Sequence, residues 1–579
     1  MKKFINRPED VVEEMLEGLV VLHGGTSRLA GHKVLVRADV EQVREQLVAV
    51  ISGGGSGHEP AHAGYIGSGM LSAAVLGEVF TSPSSDAVFA AIRAASGKPG
   101  ALLVVKNYTG DRLNFGLAAE MAHAEGIPVE IVTVDDDVAL KGTAEMTGAR
   151  GLAGTVFVHK LVGAAAAEGK SLAEVAAVGK AAVRALATMG VSFSAGTSPA
   201  VGKPSFELGE HEMELGLGIH GEPGVSRTEV QPADELTEML LGQILCHGTF
   251  TPEKRVAVMV NNLGAATEME LAIVSRHAVS FVEGRGFTVE RIYAGTFLSS
   301  LDMAGISISV LGVDDERLRR LDAATAAPAW PNLPKRTPGR SDSQMKADPA
   351  PATGAAFGQA GGAWSEMGRT VRRAIEAACH ALIGAEAELT ELDRITGDGD
   401  LGSSMERGAK RVLEQLESYP LDDISATLKA IGHTVRRELG GSSGPLYGVL
   451  FLRCGTVLEV PVAVGIARWA AAVEQGSVAI SELGGAQPGD RTMLDALDPF
   501  ARTLKEGSET KPLRETLLAA VEAAERGVEA TAQMKPRLGR SSYLGDRVLG
   551  HADPGARAVA IGLRAVYRAL FPEPTPGLR

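Results

Sequence analysis

Through the first half of the chain, short runs of aliphatic and β-branched residues alternate with amphipathic stretches. Val48-Ala49-Val50-Ile51 runs into a glycine cluster, and Leu102-Leu103-Val104-Val105 into Lys106-Asn107-Tyr108. Residues 129–134 end in Asp135-Asp136-Asp137, and residues 256–260 in Asn261-Asn262. Strand, polar loop and helix in rotation predict an α/β domain. Polar residues just past strand C-termini are where such sheets hold ligands. From about Pro328 to Gly368 the pattern dissolves into Pro, Gly, Ala and Ser. That composition predicts a flexible linker, placed at residues 333–364. Beyond it Leu517, Val521, Ala524 and Val528 recur at helical spacing, the stripe of an amphipathic helix. Similar stripes cover residues 371–388, 421–439 and 557–570. The expectation is an α/β domain over residues 1–332 and a mostly α domain over 365–579, with function on the loops between helices.

Composition narrows the partners. A chain of 579 residues fits two to four domains. A net charge of −14 with no block of Lys or Arg disfavours nucleic acid and anionic membrane as partners. An anionic substrate needs a local answer to its charge, such as a metal. Cys246, Cys379 and Cys454 are too widely spaced for a disulfide framework or a zinc motif, and read as reduced thiols. No hydrophobic signal region follows the start Met1-Lys2-Lys3-Phe4. No apolar run approaches the ~20 residues that span a bilayer. The chain reads as cytoplasmic.

The densest motif of the first domain is Ser52-Gly53-Gly54-Gly55-Ser56-Gly57-His58-Glu59-Pro60. Glycines let backbone amides approach a ligand closely. The stretch lacks the Gly-Lys-Ser/Thr of a phosphate loop and the third glycine of a dinucleotide fingerprint. It reads as a loop cupping a small polar ligand, with His58 pointing inward; a tight turn with an incidental histidine is the plainer alternative. In Lys106-Asn107-Tyr108-Thr109-Gly110-Asp111, Asp111 stands near a helix start. It serves there either as a cap or as a general base on a substrate hydroxyl. Four glycines bracket His220 in Leu215-Gly216-Leu217-Gly218-Ile219-His220-Gly221-Glu222-Pro223-Gly224. A histidine near its ordinary pKa of ~6.5 is mostly neutral at cytoplasmic pH and can act as nucleophile or base.

In the second domain, Asp393 to Ser404 carries three aspartates, Asp393, Asp398 and Asp400. At ~4 Å two like charges repel by about 4 kcal/mol at an effective dielectric of ~20, so a convergent trio needs cations. Hard oxygen ligands favour Mg²⁺ or Ca²⁺. An EF-hand fails, because its twelfth position is Ala409 and its fifth is Gly402. Magnesium shared with nucleotide phosphates fits better; an exposed polar turn is the bland alternative. Gly440-Gly441-Ser442-Ser443-Gly444-Pro445, the loop from Gly484 to Asp495, and Asp553-Pro554-Gly555-Ala556 add small-residue loops beside helices, which suit phosphate contact.

Taken in order, Gly-Gly-Gly-Ser-Gly-His-Glu-Pro, Lys-Asn-Tyr-Thr-Gly-Asp, Gly-Ile-His-Gly-Glu and Gly-Asp-Gly-Asp closely resemble the dihydroxyacetone (glycerone) kinases, in the form that fuses both domains in one chain. The resemblance covers nearly everything but the linker. It implies an N-terminal ketose-binding domain of two α/β subdomains, followed by an all-α helical-barrel nucleotide domain. It implies a ketose held as a hemiaminal on His220, with Asp111 as base and His58 assisting. Gly55, Ser56, Gly57 and Lys106 match the family's substrate contacts. Asp393, Asp398 and Asp400 match the aspartates that hold two Mg²⁺ ions. Leu401, Gly402, Ser403, Ser404, Ser442, Ser443, Gly484, Thr492, Met493, Asp553, Pro554 and Gly555 match the ATP contacts. Two departures are visible: an extra aspartate in Asp135-Asp136-Asp137, and Pro445-Leu446-Tyr447 where a small residue is more usual after the serine pair.

The implied activity is ATP-dependent phosphorylation of dihydroxyacetone in a cytoplasmic homodimer. Glycerol, lacking a carbonyl, would escape capture by His220. Erythrulose or glyceraldehyde as acceptor, and an FAD-cleaving cyclic-FMN lyase side activity, are the alternatives within the enzyme class. A subunit phosphorylated by a phosphoprotein is disfavoured by the fusion, and a non-catalytic ketose sensor by the intact His220, Asp111 and aspartate trio.

Overall fold

A computed structural model describes residues 2–140, 149–204, 206–222, 224–250, 254–332, 364–397, 399–459, 465–538 and 540–572. The chain divides into two compact units, Met1–Gln344 and Met345–Arg579. Most of the expected linker, 333–363, and Asp398 lie outside the described residues.

The first unit holds two six-stranded sheets. One contains β1 (Thr26–Arg28), β2 (Val34–Arg37), β3 (Ala49–Ser56), β4 (Ala73–Val79), β5 (Ala101–Lys106) and β6 (Val129–Val134), in the order β1-β2-β4-β3-β5-β6. Strand β3 runs parallel to β4 on one side and β5 on the other, and β5 parallel to β6. The second contains β7 (Leu186–Ser192), β8 (Glu212–Leu215), β9 (Ser226–Glu229), β10 (Arg255–Asn262), β11 (Thr288–Gly295) and β12 (Gly305–Gly312), in the order β11-β10-β12-β7-β8-β9. It is antiparallel except for the β10–β11 pair. Strands β3 and β5 are buried along their whole length, which explains their unbroken apolar runs.

The glycine run is not the loop that the sequence suggests. Gly53, Gly54 and Gly55 lie inside β3 and pair with Val75, Leu76 and Gly77 of β4. A Cβ on Gly53 would run into the Val75 carbonyl, and one on Gly55 would lie 2.6–2.8 Å from the backbone of Phe80 and Thr81. Glycine is required here by close backbone packing within a strand. The turn begins only at Gly57, where φ is +100°.

The second unit shows no strand among its described residues. Its helices are Glu366–Gly384, Glu386–Thr396, Leu401–Gln415, Ile424–Glu438, Ser443–Leu458, Ile466–Gly484, Leu494–Gly507, Leu513–Thr531 and Pro554–Leu570. The stripe over 371–388 is broken at Ala385, the shared boundary of two helices. One apolar core, including Leu389, Leu494, Ala520, Val521 and Ala524, fills the unit. No helix among the described residues is long and apolar enough to cross a membrane.

Candidate active site

Four segments meet in the first unit: the end of β3, the end of β5, the loop after β8 and the loop after β11. The β11 loop ties them together. Leu301 donates its N–H to the Gly57 carbonyl at 2.8 Å, Ser299 to that of His58 at 3.2 Å, and the Ser300 hydroxyl to Ile219 at 2.5 Å. His58 is fully buried, and its Nδ1 lies 2.8 Å from the Ser299 carbonyl. A carbonyl can only accept, so Nδ1 carries the proton and Nε2 a lone pair. That Nε2 is buried with no partner among the described residues. Burial holds the His58 pKa well below its ordinary value, and the nearby His220 and Lys106 push in the same direction.

His220 packs edge-on to His58, with ring centroids 4.9 Å apart, and also against Phe80 and Tyr108. Its Nδ1 is 2.7 Å from Glu222 Oε1, and its backbone N–H donates to Oε2 at 3.0 Å. Burial alone would raise the Glu222 carboxyl, but the His220 hydrogen bond and charge hold it below its ordinary value. An ionised carboxylate accepts only, so the imidazole proton sits on Nδ1 and the nucleophilic lone pair on Nε2. Phe80 adopts a left-handed backbone, φ +58°, while stacking on His58. Such a conformation is costly for a bulky residue and is tolerated where surroundings over-determine it.

Lys106 and Asp111 lie on the other side of this pocket. Both are buried, Asp111 in the first turn of the helix Thr109–Ala124, which Tyr108 precedes without a side-chain cap. A Cβ on Gly54 would stand 2.6 Å from Lys106 Nζ, 3.5 Å from Asp111 Oδ2 and 3.6 Å from His62 Nε2. The bare backbone of Gly54 therefore makes room for an ammonium, a carboxylate and an imidazole around one small space. Burial lowers the Lys106 pKa, and Asp111 opposes the shift. Ser56 is the exception among the expected contacts: its hydroxyl donates to the Gly77 carbonyl at 2.7 Å, so it serves the sheet.

Two further carboxylates stand behind His220. The Asp136 carboxylate accepts the amides of Leu152 (2.6 Å) and Gly154 (3.0 Å), and burial raises its pKa to about 6. Asp137 binds Arg150 at 2.7 Å, and Arg150 reaches the Gly216 carbonyl at 2.5 Å. The acidic run thus anchors the glycine loop that presents His220.

In the helical unit the candidate residues gather at helix boundaries, most at starts but Asp393 and Gly484 at or near the ends of Glu386–Thr396 and Ile466–Gly484. Asp393 Oδ2 accepts the amides of Asp400 (2.9 Å) and Leu401 (3.1 Å). Asp400 stands at the N-cap of Leu401–Gln415, yet its side chain makes no capping hydrogen bond. Asp393 and Asp400 offer only oxygen, the donor type a hard cation prefers, but among the described residues no group of three His, Cys, Asp or Glu side chains is placed to hold a metal ion. Leu401 faces the core, and Gly402 packs against the Glu386 carbonyl and Thr390, so only their backbones remain to meet a ligand. Arg407 holds the Ser404 hydroxyl at 3.2 Å and the Glu438 carbonyl at 3.1 Å, joining Ser403 and Ser404 to the loop before Ser442 and Ser443. Ser442 does not cap its own helix.

The loop from Gly484 to Met493 is pinned by Asp495, which accepts from Gly489 (2.5 Å) and Thr492 (2.8 Å). Its Arg491, missed by sequence reasoning, is fully buried with φ +64°. Arg491 donates to the carbonyls of His551 (3.0 Å) and Ala552 (3.5 Å). This brings Thr492 and Met493 against Asp553, Pro554 and Gly555; a Cβ on Gly555 would lie 3.7 Å from Met493 Cβ and 3.1 Å from Asp553 Oδ2. Asp553 caps the helix Pro554–Leu570 through the Ala556 amide at 2.8 Å. Burial raises its carboxyl to about 6, against the pull of that amide and of Arg491.

A paired-sheet unit that presents a polarised histidine, followed by a helical unit with small-residue loops at its helix starts, has the architecture of a fused two-domain kinase. Residues 17–329 match the Dak1 domain and residues 395–568 the DAK2 domain; the chain belongs to the dihydroxyacetone kinase family in its single-chain form. It is 45% identical to the putative 3,4-dihydroxy-2-butanone kinase of Solanum lycopersicum, across 98% of each chain. It is 42% identical to human triokinase/FMN cyclase, across 98% of this chain and 99% of that protein. Among solved structures, the dihydroxyacetone kinase from C. freundii in complex with AMP-PNP and Mg²⁺ aligns with a TM-score of 0.60 at 33% identity, over 98% of this chain and 99% of that one.

Proposed function

We propose that this enzyme phosphorylates dihydroxyacetone at the expense of ATP, holding the ketose as a hemiaminal on His220. The observation that carries the reading is the pair of Nδ1 contacts that set the tautomers of His220 and His58. Glu222 holds the proton of His220 on Nδ1, and Ser299 holds that of His58 on Nε2's opposite nitrogen. His220 Nε2 forms a bond to the carbonyl carbon while the carbonyl π pair moves to oxygen. The imidazole gives up its Nδ1 proton through Glu222, and the new hydroxyl gains one, so the charge balances. His58 Nε2 accepts a hydrogen bond from that hydroxyl. Asp111 takes the proton of the substrate's terminal hydroxyl as its oxygen attacks the γ-phosphorus and the bond to ADP breaks. Lys106 donates to the substrate oxygens, and Gly55 and Gly57 line the same pocket.

The nucleotide belongs to residues 365–579 and the ketose to residues 1–332, with 333–364 as the link. Leu401, Gly402, Ser403, Ser404, Ser442, Ser443, Gly484, Thr492, Met493, Asp553, Pro554 and Gly555 would contact ATP. Asp393, Asp398 and Asp400 would hold two Mg²⁺ ions, which when bound neutralise the triphosphate. The setting is a cytoplasmic homodimer. Support comes from the C. freundii relative, whose complex contains AMP-PNP and Mg²⁺.

The test is an ATP/Mg²⁺ assay across dihydroxyacetone, both erythruloses, glyceraldehyde and glycerol. Dihydroxyacetone is expected to be the best acceptor; glycerol as best acceptor, or no phosphorylation at all, sinks the reading. A second reading is favoured by the names of the relatives. A four-carbon ketone as acceptor accords with the tomato 3,4-dihydroxy-2-butanone kinase, and another triose acceptor or an FMN-cyclising side activity with the human triokinase/FMN cyclase.

A further inference from the structure

Behind Lys106 lies a chain of buried polar groups that none of the roles above uses. Lys106 Nζ is 2.7 Å from His62 Nε2, and His62 Nδ1 is 3.3 Å from the Ser52 hydroxyl. Ser52 Oγ lies 2.7 Å from the Val104 carbonyl, and His159 Nε2 approaches Ser52 Oγ at 3.1 Å. Ser52, His62, Lys106 and His159 are each at most 2% exposed.

The Val104 carbonyl fixes every proton in the chain, because it can only accept. The Ser52 hydroxyl therefore donates to Val104 and offers its lone pairs to His62 and His159. His62 must donate from Nδ1, which leaves a lone pair on Nε2. An ammonium can only donate, so Lys106 completes the series by donating to that lone pair. Burial first, and the Lys106 charge second, hold both imidazoles neutral, with His159 pushed down to about 3. A buried lysine otherwise tends to lose its proton or swing toward water. Its other contact here is long, 3.5 Å to the Gly53 carbonyl.

We propose that His62 is a positioning residue, whose Nε2 lone pair, oriented by Ser52 and the Val104 carbonyl, holds the Lys106 ammonium over the Gly54 backbone for contact with the ketose oxygens. This rests on the ketose-kinase reading. In this role His62 acts through Lys106. Its partner Ser52 belongs to the same strand that brings the glycine backbone to the site, so one strand sets both the space for the ligand and the direction of the cation facing it.

The test is a double-mutant cycle in the full-length protein between His62→Leu and Lys106→Met, read as kcat and KM separately for dihydroxyacetone phosphorylation. His62→Leu is expected to lower kcat/KM by roughly 10- to 100-fold. In the Lys106→Met background it should change kcat/KM by less than about twofold, because its target is gone. His62→Gln, whose amide oxygen can accept from Lys106 at the Nε2 position, should recover most of the loss. If His62→Leu fails to fold, Ser52→Ala replaces it in the same cycle. Losses that multiply in the double mutant, or a fully active His62→Leu, overturn the positioning role even though the wild type phosphorylates ketose. A wild type that phosphorylates no ketose overturns the kinase reading itself, and the positioning role with it.

Discussion

In the sheet unit the proposed contact groups His58, Lys106 and Asp111 are all buried, with the His58 and Lys106 hydrogen bonds set in advance, whereas in the helical unit the proposed contacts are mixed: Asp393, Ser404 and Asp553 are buried, and Asp400, Ser442 and Gly484 stand exposed at helix boundaries. The difference follows the sizes of the two ligands. A three-carbon ketose, the proposed acceptor, offers few atoms to grip, so the proposed capture relies on a desolvated pocket and a covalent bond. A nucleotide with magnesium brings charge and surface of its own. Backbone amides at helix starts, together with a few carboxylates, are enough to receive it.

The largest expected effect would break the covalent half of that contrast. His220→Ala should abolish the ketose adduct seen by intact-mass spectrometry and lower kcat/KM by on the order of 10⁴-fold; an adduct that persists would move capture to another residue. Asp111→Asn should cost about 10²- to 10⁴-fold in kcat while the adduct still forms, and loss of both together would reassign Asp111 to binding. On the helical side, Asp400→Asn should raise the Mg²⁺ concentration for half-maximal rate by roughly 10- to 100-fold. The adduct on His220 should be unchanged, because the two units do separate work.

The smallest effect concerns pH. Burial lifts the Asp553 carboxyl from its ordinary value of 3.8 to about 6. The folded chain therefore holds a proton that the unfolded chain releases between those values. This contribution is fully present below about pH 4 and is lost as pH rises through about 6. Asp553→Asn keeps a capping oxygen for Ala556 while removing the titration. The variant's helical unit should gain about 2–3 kcal/mol on wild type at pH 7 and almost nothing at pH 4, by calorimetry. An equal gain at both pH values would show that the carboxyl is not what titrates.

Much of this molecule was legible in its sequence. The α/β half, the helical half and the glycine-flanked histidines were all marked by local pattern. What the pattern could not convey was pairing across distance. Ser52 was read only as the start of the glycine run and His62 and His159 stand in no motif, and only the fold brings them into one line behind Lys106. Glu222 was within the quoted motif, but its grip on His220 Nδ1 depends on the turn that folds it back two residues. Arg491 read as part of a polar loop, although it is buried and clamps two loops some sixty residues apart. The glycine run misled in the opposite direction: it was taken for a loop, because backbone crowding from a neighbouring strand leaves no trace in a single segment.

The hydrogen bond from His58 Nδ1 to Ser299 spans 241 residues of sequence. As the chain leaves the ribosome, both histidines emerge well before the residue that gives one of them its tautomer. Until residues 299–301 have docked, His58 lacks its fixed proton and the loop carrying His220 lacks its Ser300 clamp. Contacts of such separation form late in folding. A nascent chain would therefore carry both histidines without their arrangement, and the proposed carbonyl capture would arise only once the whole unit had closed around it.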